Sequence, residues 1–312
     1  MEIINISQTS NRTPLVAAIG FFDGVHVGHR CLIEQIKEIA HEKGLSSAVV
    51  TFPVHPRQVL QSDYQPALLC GYEEKLSRLS KTGVDYCVSL DFTKEMSLFS
   101  ARDFIHKVLK EQLNVDTLVI GYDHRFGHNR EDGFDEYRKY GQEVGMDVVQ
   151  ATEYSSLEHV SSSRIRRLLG NGDVRKAAQL LSYRYTISGK IVEGFKVGRT
   201  IGFPTANIQI WEDFKVIPAF GVYAVYVQIE NKQYKGMLYI GRRPTLQNGN
   251  QISLEVNIFD FDEDIYNKWL TVEFVDFIRP DEKFNSLEEL KENIARDKEN
   301  VIEILNKENP VF

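Results

Sequence analysis

The chain has 312 residues, more than one compact domain usually holds, so two domains are expected. Its composition is globular, with 42% hydrophobic and 26% charged residues, and a net charge of −7 argues against a broad nucleic-acid surface but allows a local basic pocket. The three cysteines have neither paired nor zinc-type spacing, which is typical of a reducing compartment. The sequence has no apolar leader and no apolar run of membrane-spanning length. Together with the net charge, these features predict a cytoplasmic protein that binds neither nucleic acid nor membrane. The oligomeric state, a homo-oligomer included, stays open.

The first half of the chain alternates strand and helix patterns. Short apolar runs predict five strands: Leu15–Phe21, Ser47–Phe52, Tyr86–Leu90, Thr117–Gly121 and Asp147–Ala151. Helical spacing predicts helices between them: Cys31–Ala40, Glu73–Lys81, Ala101–Leu113 and Phe134–Val144. This alternation predicts a doubly wound parallel sheet, which binds ligands at the carboxyl ends of its strands.

After about Leu181 the pattern changes to closely spaced strands. The predicted strands are Tyr185–Val192, Gly221–Ile229, Tyr234–Ile240, Ser253–Phe259 and Leu270–Ile278. They predict an antiparallel barrel or sandwich, followed by a helix from about Ser286, where Glu289 is placed for a capping box. We therefore expect one domain over residues 1–182 and a second over 183–312.

The segment FFDGVHVGHR, residues 21–30, lies between the first predicted strand and its helix. A helix N-terminus presents unpaired N–H groups, so His26 and His29 are placed to help bind phosphate oxygens. A zinc site would need a third ligand, and none is evident nearby. The other alternative is a surface turn that contains two histidines.

The segment SSSRIRRLL, residues 161–169, opens another predicted helix. Serine hydroxyls at a helix start can cap the backbone or bind phosphate. The arginines of the next turn oppose the helix dipole, which a bound polyphosphate would explain. Simple capping beside a solvated basic face is the alternative.

The second half has two stretches that suggest chemistry. GFKVGRTIGFPTAN, residues 194–207, is a glycine-rich loop followed by an extended segment on which Thr205 and Asn207 share a face. Neutral oxygens beside nucleotide phosphates suit Mg²⁺, although a glycine-rich hairpin with a polar edge strand fits as well. Glu255 alternates with apolar neighbours in SLEVNIF, so it either faces water or is a working carboxylate.

Four motifs of the first half resemble the FMN adenylyltransferase half of the bacterial bifunctional riboflavin kinase/FAD synthetase family, within the nucleotidylyltransferase superfamily. They are GFFDGVHVGH, TFPVHP (residues 51–56), GYDHRFG (residues 121–127) and SSSRIRRLL. The resemblance implies a nucleotidylyltransferase domain that transfers AMP from ATP to FMN, giving FAD and pyrophosphate. The implied ATP-binding residues are Gly20, Phe22, Asp23, Gly24, His26, His29, Asp123, Arg125, Ser162, Ser163 and Arg166. His29 and Arg166 would serve catalysis, and His55 would lie on the flavin side.

The chain departs from that family pattern at a few positions. Pro53 and Val54 stand where the family usually has an acidic residue and proline, and His124 stands in place of phenylalanine. Ser163 replaces a threonine and keeps its hydroxyl.

The second half resembles the riboflavin kinase module of the same family. The matching motifs are GFPTAN, GVYAVYV, IGRRPT, SLEVNIFDFDEDIY and FIRPDEKF, in unbroken order. The resemblance implies phosphorylation of riboflavin by ATP to FMN and ADP, with Mg²⁺ and nucleotide held by Thr205 and Asn207, and Glu255 as base. It places Arg279 near the flavin, and the nucleotide loop is implied at Gly194, Lys196, Gly198 and Gly202.

Two other functions fit parts of the pattern. One is a single-function nucleotidylyltransferase whose barrel only binds a ligand, against which the intact PTAN segment and Glu255 argue. The other is a flavin- or nucleotide-sensing protein with degenerate sites, against which the retained histidines and Arg166 argue.

Overall fold

The structure, a computed structural model, describes residues 1–5, 13–61, 63–121, 125–128, 131–152, 160–194, 198, 202–245 and 249–308. The chain forms two compact units, Met1–Ser162 and Ser163–Phe312. The boundary predicted between residues 182 and 183 falls inside the second unit, and the predicted division of activities at that point stays a prediction.

The first unit is built on a parallel sheet of six strands, in the order β1-β4-β3-β2-β5-β6. The strands are β1 (Glu2–Asn5), β2 (Leu15–Ile19), β3 (Ser46–Thr51), β4 (Tyr86–Ser89), β5 (Val115–Ile120) and β6 (Asp147–Gln150). Every residue of β2 is buried, as expected of a central strand covered on both faces. Two buried apolar clusters, one on each face, form the core.

Helices connect these strands. They are α1 (Val27–Lys43), α2 (Pro56–Leu60), α3 (Tyr72–Ser80), α4 (Ala101–Asp103), which continues as a π-helix over Phe104–Gln112, and α5 (Phe134–Glu143). Helix α1 ends at Gly44, which is in the left-handed conformation and donates its N–H to the carbonyls of Ala40 and His41.

The strand order of this sheet reverses next to β2. The chain runs from β2 outward to β3 and β4, and then returns to place β5 on the other side of β2. A crevice opens at the carboxyl ends of the strands at such a switch point, and ligands bind there. The segments after β2 and β5 begin at that point, and they contain the HVGH and GYDHRFG motifs.

The second unit is a closed antiparallel barrel with strand order β10-β11-β8-β7-β12-β9. The strands are β7 (Thr186–Val192), β8 (Ala206–Ile210), β9 (Gly221–Ile229), β10 (Lys232–Thr245), β11 (Gly249–Ile258) and β12 (Trp269–Pro280). Among the residues that the structure describes, this part of the chain also contains the helices α6 (Ser162–Gly170), which begins at the last residue of the first unit, α7 (Val174–Leu181) and α8 (Leu287–Lys307). Helix α8 packs on β9, β10 and β12.

The predicted fold class is confirmed, and the barrel replaces the sandwich alternative. Two strands lie outside the predicted set: β1, at the sheet edge, and β8, which is the extended segment that contains Asn207. Helix α1 begins four residues before the predicted Cys31, at Val27, because His26 caps it. Within the described ranges, no helix is both long and apolar enough to cross a membrane.

Candidate active sites

The segment between β2 and α1 has an unusual backbone. Phe22, Gly24 and Val25 all have positive φ, at 54°, 77° and 40°. Side chains with a Cβ rarely adopt this conformation, so Phe22 and Val25 hold strain in a turn directly before the histidine pair. Gly20 fixes the start of the turn, since its N–H donates to the Val50 carbonyl of β3 at 3.0 Å.

The two motif histidines stack at the start of α1. Their ring centroids are 3.6 Å apart with an interplanar angle of 15°. His26 is 5% exposed, and its Nδ1 accepts the backbone N–H of His29 at 3.3 Å. Burial lowers the pKa of His26 to about 4, so the ring is neutral at pH 7. A neutral ring that accepts at Nδ1 has its proton on Nε2, where it can donate to a phosphate oxygen.

The Asp23 carboxylate stabilises the turn by hydrogen bonds to a neighbouring loop. Its carboxylate accepts the backbone N–H groups of Leu69 and Cys70, at 2.9 and 3.3 Å. The N–H of Gly24 donates to the Cys70 sulfur at 3.1 Å, and burial raises the pKa of that thiol to about 12. Asp23 therefore holds the turn against a neighbouring loop, a role that its predicted place in the ATP site did not include.

Ser162, the last residue of the first unit, contacts this turn. Its hydroxyl donates to the Asp23 carbonyl at 2.9 Å. Ser163 and Arg166 lie further along α6, in the second unit, where Arg166 Nη2 donates to Ser163 Oγ at 3.2 Å. Their predicted contact with ATP phosphates stays a prediction.

His55 follows β3, the neighbour of β2 in the sheet. It caps α2, with Nδ1 accepting the N–H of Arg57 at 3.1 Å. Its ring packs edge-on against Phe21, with centroids 4.7 Å apart, and lies 5.8 Å from the ring of Tyr64. The predicted flavin-side residue is thus in contact with the segment that leads into the histidine motif.

The GYDHRFG segment after β5 is only partly described. Asp123 and His124 lie outside the described residues, and Arg125 is exposed. Phe126 stacks on the buried ring of Tyr137, with centroids 4.3 Å apart, and the Tyr137 hydroxyl bonds both the N–H and the carbonyl of Phe126. Arg125 is thereby held next to a fixed backbone position.

The barrel brings Glu255 together with the PTAN segment. Glu255 pairs with Asn207 across β11 and β8, and with Tyr239 across β11 and β10. Its carboxylate accepts from Thr205 Oγ1 at 3.3 Å and from Ser253 Oγ at 2.9 Å. The side chain is half-buried.

Two described glycines of the glycine-rich segment, Gly194 and Gly198, lie close to the PTAN residues. A Cβ on Gly194 would overlap the amide of Asn207, and one on Gly198 would come within 3.4 Å of Thr205 Oγ1. Gly202 has a φ of 89°. Lys196 lies outside the described residues, so its predicted role in the loop has no structural counterpart here.

Near the end of β12, the half-buried side chain of Arg279 forms an ion pair with the buried Asp297. Its Nε lies 2.9 Å from Asp297 Oδ2 and its Nη2 lies 2.8 Å from the same oxygen. Asp297 is 4% exposed and belongs to α8. The terminal helix therefore fixes the guanidinium that the sequence predicts to lie near a flavin.

The zinc alternative at the histidine pair requires a third ligand. The described part of the chain contains no group of three or more His, Cys, Asp or Glu residues that could hold a metal ion.

Comparison with known proteins agrees with both halves of this picture. The FAD synthetase family model matches residues 8–164, and the riboflavin kinase model matches residues 181–305. A bifunctional riboflavin kinase/FMN adenylyltransferase of Listeria monocytogenes is 38% identical over 285 residues, 91% of this chain and 90% of that protein. The Escherichia coli protein of the same name is 37% identical over 95% of this chain and 94% of that protein. The chain belongs to the bifunctional riboflavin kinase/FMN adenylyltransferase family.

One solved structure is similar to this chain over most of its length. It is described as a macrolide-efflux protein from Streptococcus pneumoniae, and it is 30% identical, with a TM-score of 0.87. The alignment covers 96% of this chain and 98% of that one.

Three buried residues of this family member were not among the predicted site residues. Lys75 of α3 donates to the carbonyls of Phe21 and Phe52. Asn257 of β11 donates to the carbonyl of Pro204, directly before Thr205, and Asp297 pairs with Arg279 as described. A sequence signal exists for Lys75 alone, because it falls on the apolar stripe of its helix with Leu76 and Leu79.

Proposed function

We propose that this chain makes both flavin cofactors, phosphorylating riboflavin to FMN in the barrel and adenylylating FMN to FAD in the parallel-sheet unit. ATP is the co-substrate of both steps. The observation that carries the proposal is that one chain contains two distinct sites. The first is the pair of stacked histidines at the switch point of the sheet, and the second is Glu255, hydrogen-bonded to Thr205 in the barrel.

In adenylyl transfer, an FMN phosphate oxygen attacks the α-phosphorus of ATP. The bond from that phosphorus to the bridging oxygen breaks, and its electron pair leaves with pyrophosphate. The attacking oxygen is already ionised at neutral pH, so the site needs donors for the developing charge and no base. His26 and His29 supply ring N–H donors at a helix N-terminus, and Ser162, Ser163 and Arg166 complete the set in this proposal.

In riboflavin phosphorylation, the terminal ribityl hydroxyl attacks the γ-phosphorus of ATP. The bond to ADP breaks, and the hydroxyl proton passes to Glu255. The contacts from Thr205 and Ser253 hold the carboxylate in place for that transfer. Phosphoryl transfer otherwise depends on positioning and charge stabilisation.

A magnesium ion fits the PTAN segment. Thr205 and Asn207 offer neutral oxygens next to Glu255, and the backbone of Gly194 packs against the Asn207 amide, where a Cβ would overlap it. Mg²⁺ prefers oxygen ligands and keeps phosphate and water in its shell, and when bound it supplies charge stabilisation for the nucleotide phosphates.

Flavin recognition is assigned to His55 in the first unit and Arg279 in the second. His55 is fixed by packing on Phe21, and Arg279 by its pair with Asp297. Asp123, Arg125 and Lys196 keep their predicted nucleotide roles. We assign FAD formation to residues 1–182 and riboflavin phosphorylation to residues 183–312.

Incubation of the purified chain with riboflavin, ATP and Mg²⁺, followed by separation of the products, tests the proposal. FMN should appear first, then FAD with one pyrophosphate released for each FAD. FMN without FAD would contradict the adenylyltransferase half, and FAD formation abolished by a zinc chelator without rescue by Mg²⁺ would contradict phosphate binding by the histidines.

A further inference from the structure

Lys75 is a fully buried lysine at the carboxyl edge of the sheet. It lies on α3 and is 2% exposed. Its ammonium group donates to the Phe21 carbonyl at 3.0 Å and to the Phe52 carbonyl at 2.8 Å. Phe21 follows β2 and Phe52 follows β3, so one side chain bonds the segments that leave two adjacent parallel strands.

Burying this charge is costly, and packing alone does not explain it. Burial lowers the pKa of Lys75 to about 8, and an apolar residue of similar length would avoid that penalty. The ammonium also lies 4.0 Å from the centre of the Phe21 ring, a favourable cation–π contact. The ammonium also lies 5.5 Å from the centre of the Tyr72 ring on its own helix. The hydrogen bonds that the structure gives for Lys75 go to the carbonyls of the two segments, which points to a role in fixing them.

The two segments carry the proposed substrate contacts of the adenylyltransferase. Phe21 leads into the turn whose next residue, Phe22, packs against the His29 ring at 5.1 Å. Phe52 leads into the segment of His55, whose ring lies against the Phe21 ring. Any shift of one carbonyl relative to the other would therefore move His29 relative to His55.

We propose that Lys75 is a positioning residue for adenylyl transfer, which fixes the phosphate-binding turn and the flavin-side segment relative to each other. This inference rests on the proposed roles of His29 and His55. Each segment keeps its own substrate contacts without Lys75, so the affinities for ATP and FMN should survive its loss. The step that needs both substrates aligned should not, because misplacement by about 1 Å can cost roughly a hundredfold in rate.

The test uses the full-length chain with Lys75→Met, which keeps the length of the side chain and removes its donors. Lys110→Met is the matched control, because Lys110 also donates to two carbonyls, those of Val115 and Gly145. These carbonyls lie at the amino ends of β5 and β6, away from the carboxyl ends where Lys75 lies. Each variant is assayed where circular dichroism shows it folded, with kcat and the two KM values for FAD formation measured separately. Riboflavin phosphorylation in the same preparation is the internal reference.

For Lys75→Met we expect kcat for FAD formation to fall about a hundredfold, with KM for ATP and FMN changed by less than about threefold. Lys110→Met should match the wild type. A purely structural role would lower the melting temperature and leave kcat of the folded protein unchanged, and that result overturns the inference. If Lys75→Met does not fold, Lys75→Arg decides, since its differently shaped donor group should lower kcat at least about tenfold at constant KM.

His29→Ala, measured in the same series, distinguishes a failure of the Lys75 inference from a failure of the proposed adenylyltransferase site. If His29→Ala abolishes FAD formation and the Lys75 variants do not alter kcat, only the role of Lys75 is wrong. If His29→Ala is also without effect, the proposed site itself is wrong.

Discussion

Acid should destabilise the first unit through His26. Burial lowers the pKa of this side chain from 6.5 to about 4, so between these values the unfolded chain binds a proton that the folded chain does not. Stability from this group is fully present above pH 6.5 and is lost as the pH falls to about 4. The difference of about 2.5 pKa units, at about 1.4 kcal/mol each, predicts a loss of about 3 kcal/mol of unfolding free energy.

The variant His26→Asn isolates this effect from the titration of carboxyl groups. Asparagine can still cap α1 but does not titrate, so its own contribution to the unfolding free energy does not depend on pH. His41→Asn is the matched control, because His41 is exposed at the other end of the same helix.

Urea unfolding followed by circular dichroism at several pH values measures the difference. Both tryptophans, Trp211 and Trp269, belong to the second unit, so tryptophan fluorescence identifies the transition of that unit. Between pH 7 and 4 the other transition should lose about 3 kcal/mol less in His26→Asn than in the wild type or the His41 variant. Parallel pH dependences for all three proteins would refute a buried, neutral His26.

Three further predictions concern the barrel. Glu255→Gln should lower riboflavin phosphorylation by about a hundred- to ten-thousandfold, while FAD formation from supplied FMN persists; turnover within a fewfold of wild type would leave Glu255 without a catalytic role. Gly194→Ala should strongly reduce the kinase because the new Cβ overlaps a side chain of the PTAN segment, whereas Gly170→Ala, with open space around it, should not; equal activities would contradict the predicted overlap. Asp297→Asn leaves Arg279 without its buried partner and should raise KM for riboflavin, with a loss of up to about 3–5 kcal/mol of barrel stability; an unchanged KM and melting curve would show that the pair does not position the guanidinium.

The order of elements was largely predictable from the sequence. Runs such as Leu15–Ile19 are buried on both faces, so their apolar character marks them as central strands. β1 was missed because a four-residue edge strand, with Ile3 49% exposed, buries too little to leave a periodic pattern. Closure of the barrel depends on which strands pair across long sequence separations, so the pattern left barrel and sandwich open.

The candidate sites were predictable where chemistry lies within one motif. The histidine pair was predicted from its place at a helix start, and the roles of Thr205 and Glu255 were predicted from the resemblance; these roles stay predictions. The apolar stripe of α3 predicts that Lys75 is buried. The partners of Lys75 and Asp23, however, are carbonyls and N–H groups of distant segments, which no local pattern reveals.

The division of chemistry between the two units is tested most directly by measuring both half-reactions on full-length His29→Ala and Glu255→Gln. His29→Ala should convert riboflavin to FMN at the wild-type rate and form FAD about a hundred- to a thousandfold more slowly. Glu255→Gln should form FAD from supplied FMN at the wild-type rate and accumulate almost no FMN from riboflavin. If either folded variant lost both reactions, or if both variants kept both reactions, the assignment of two separate sites would be contradicted.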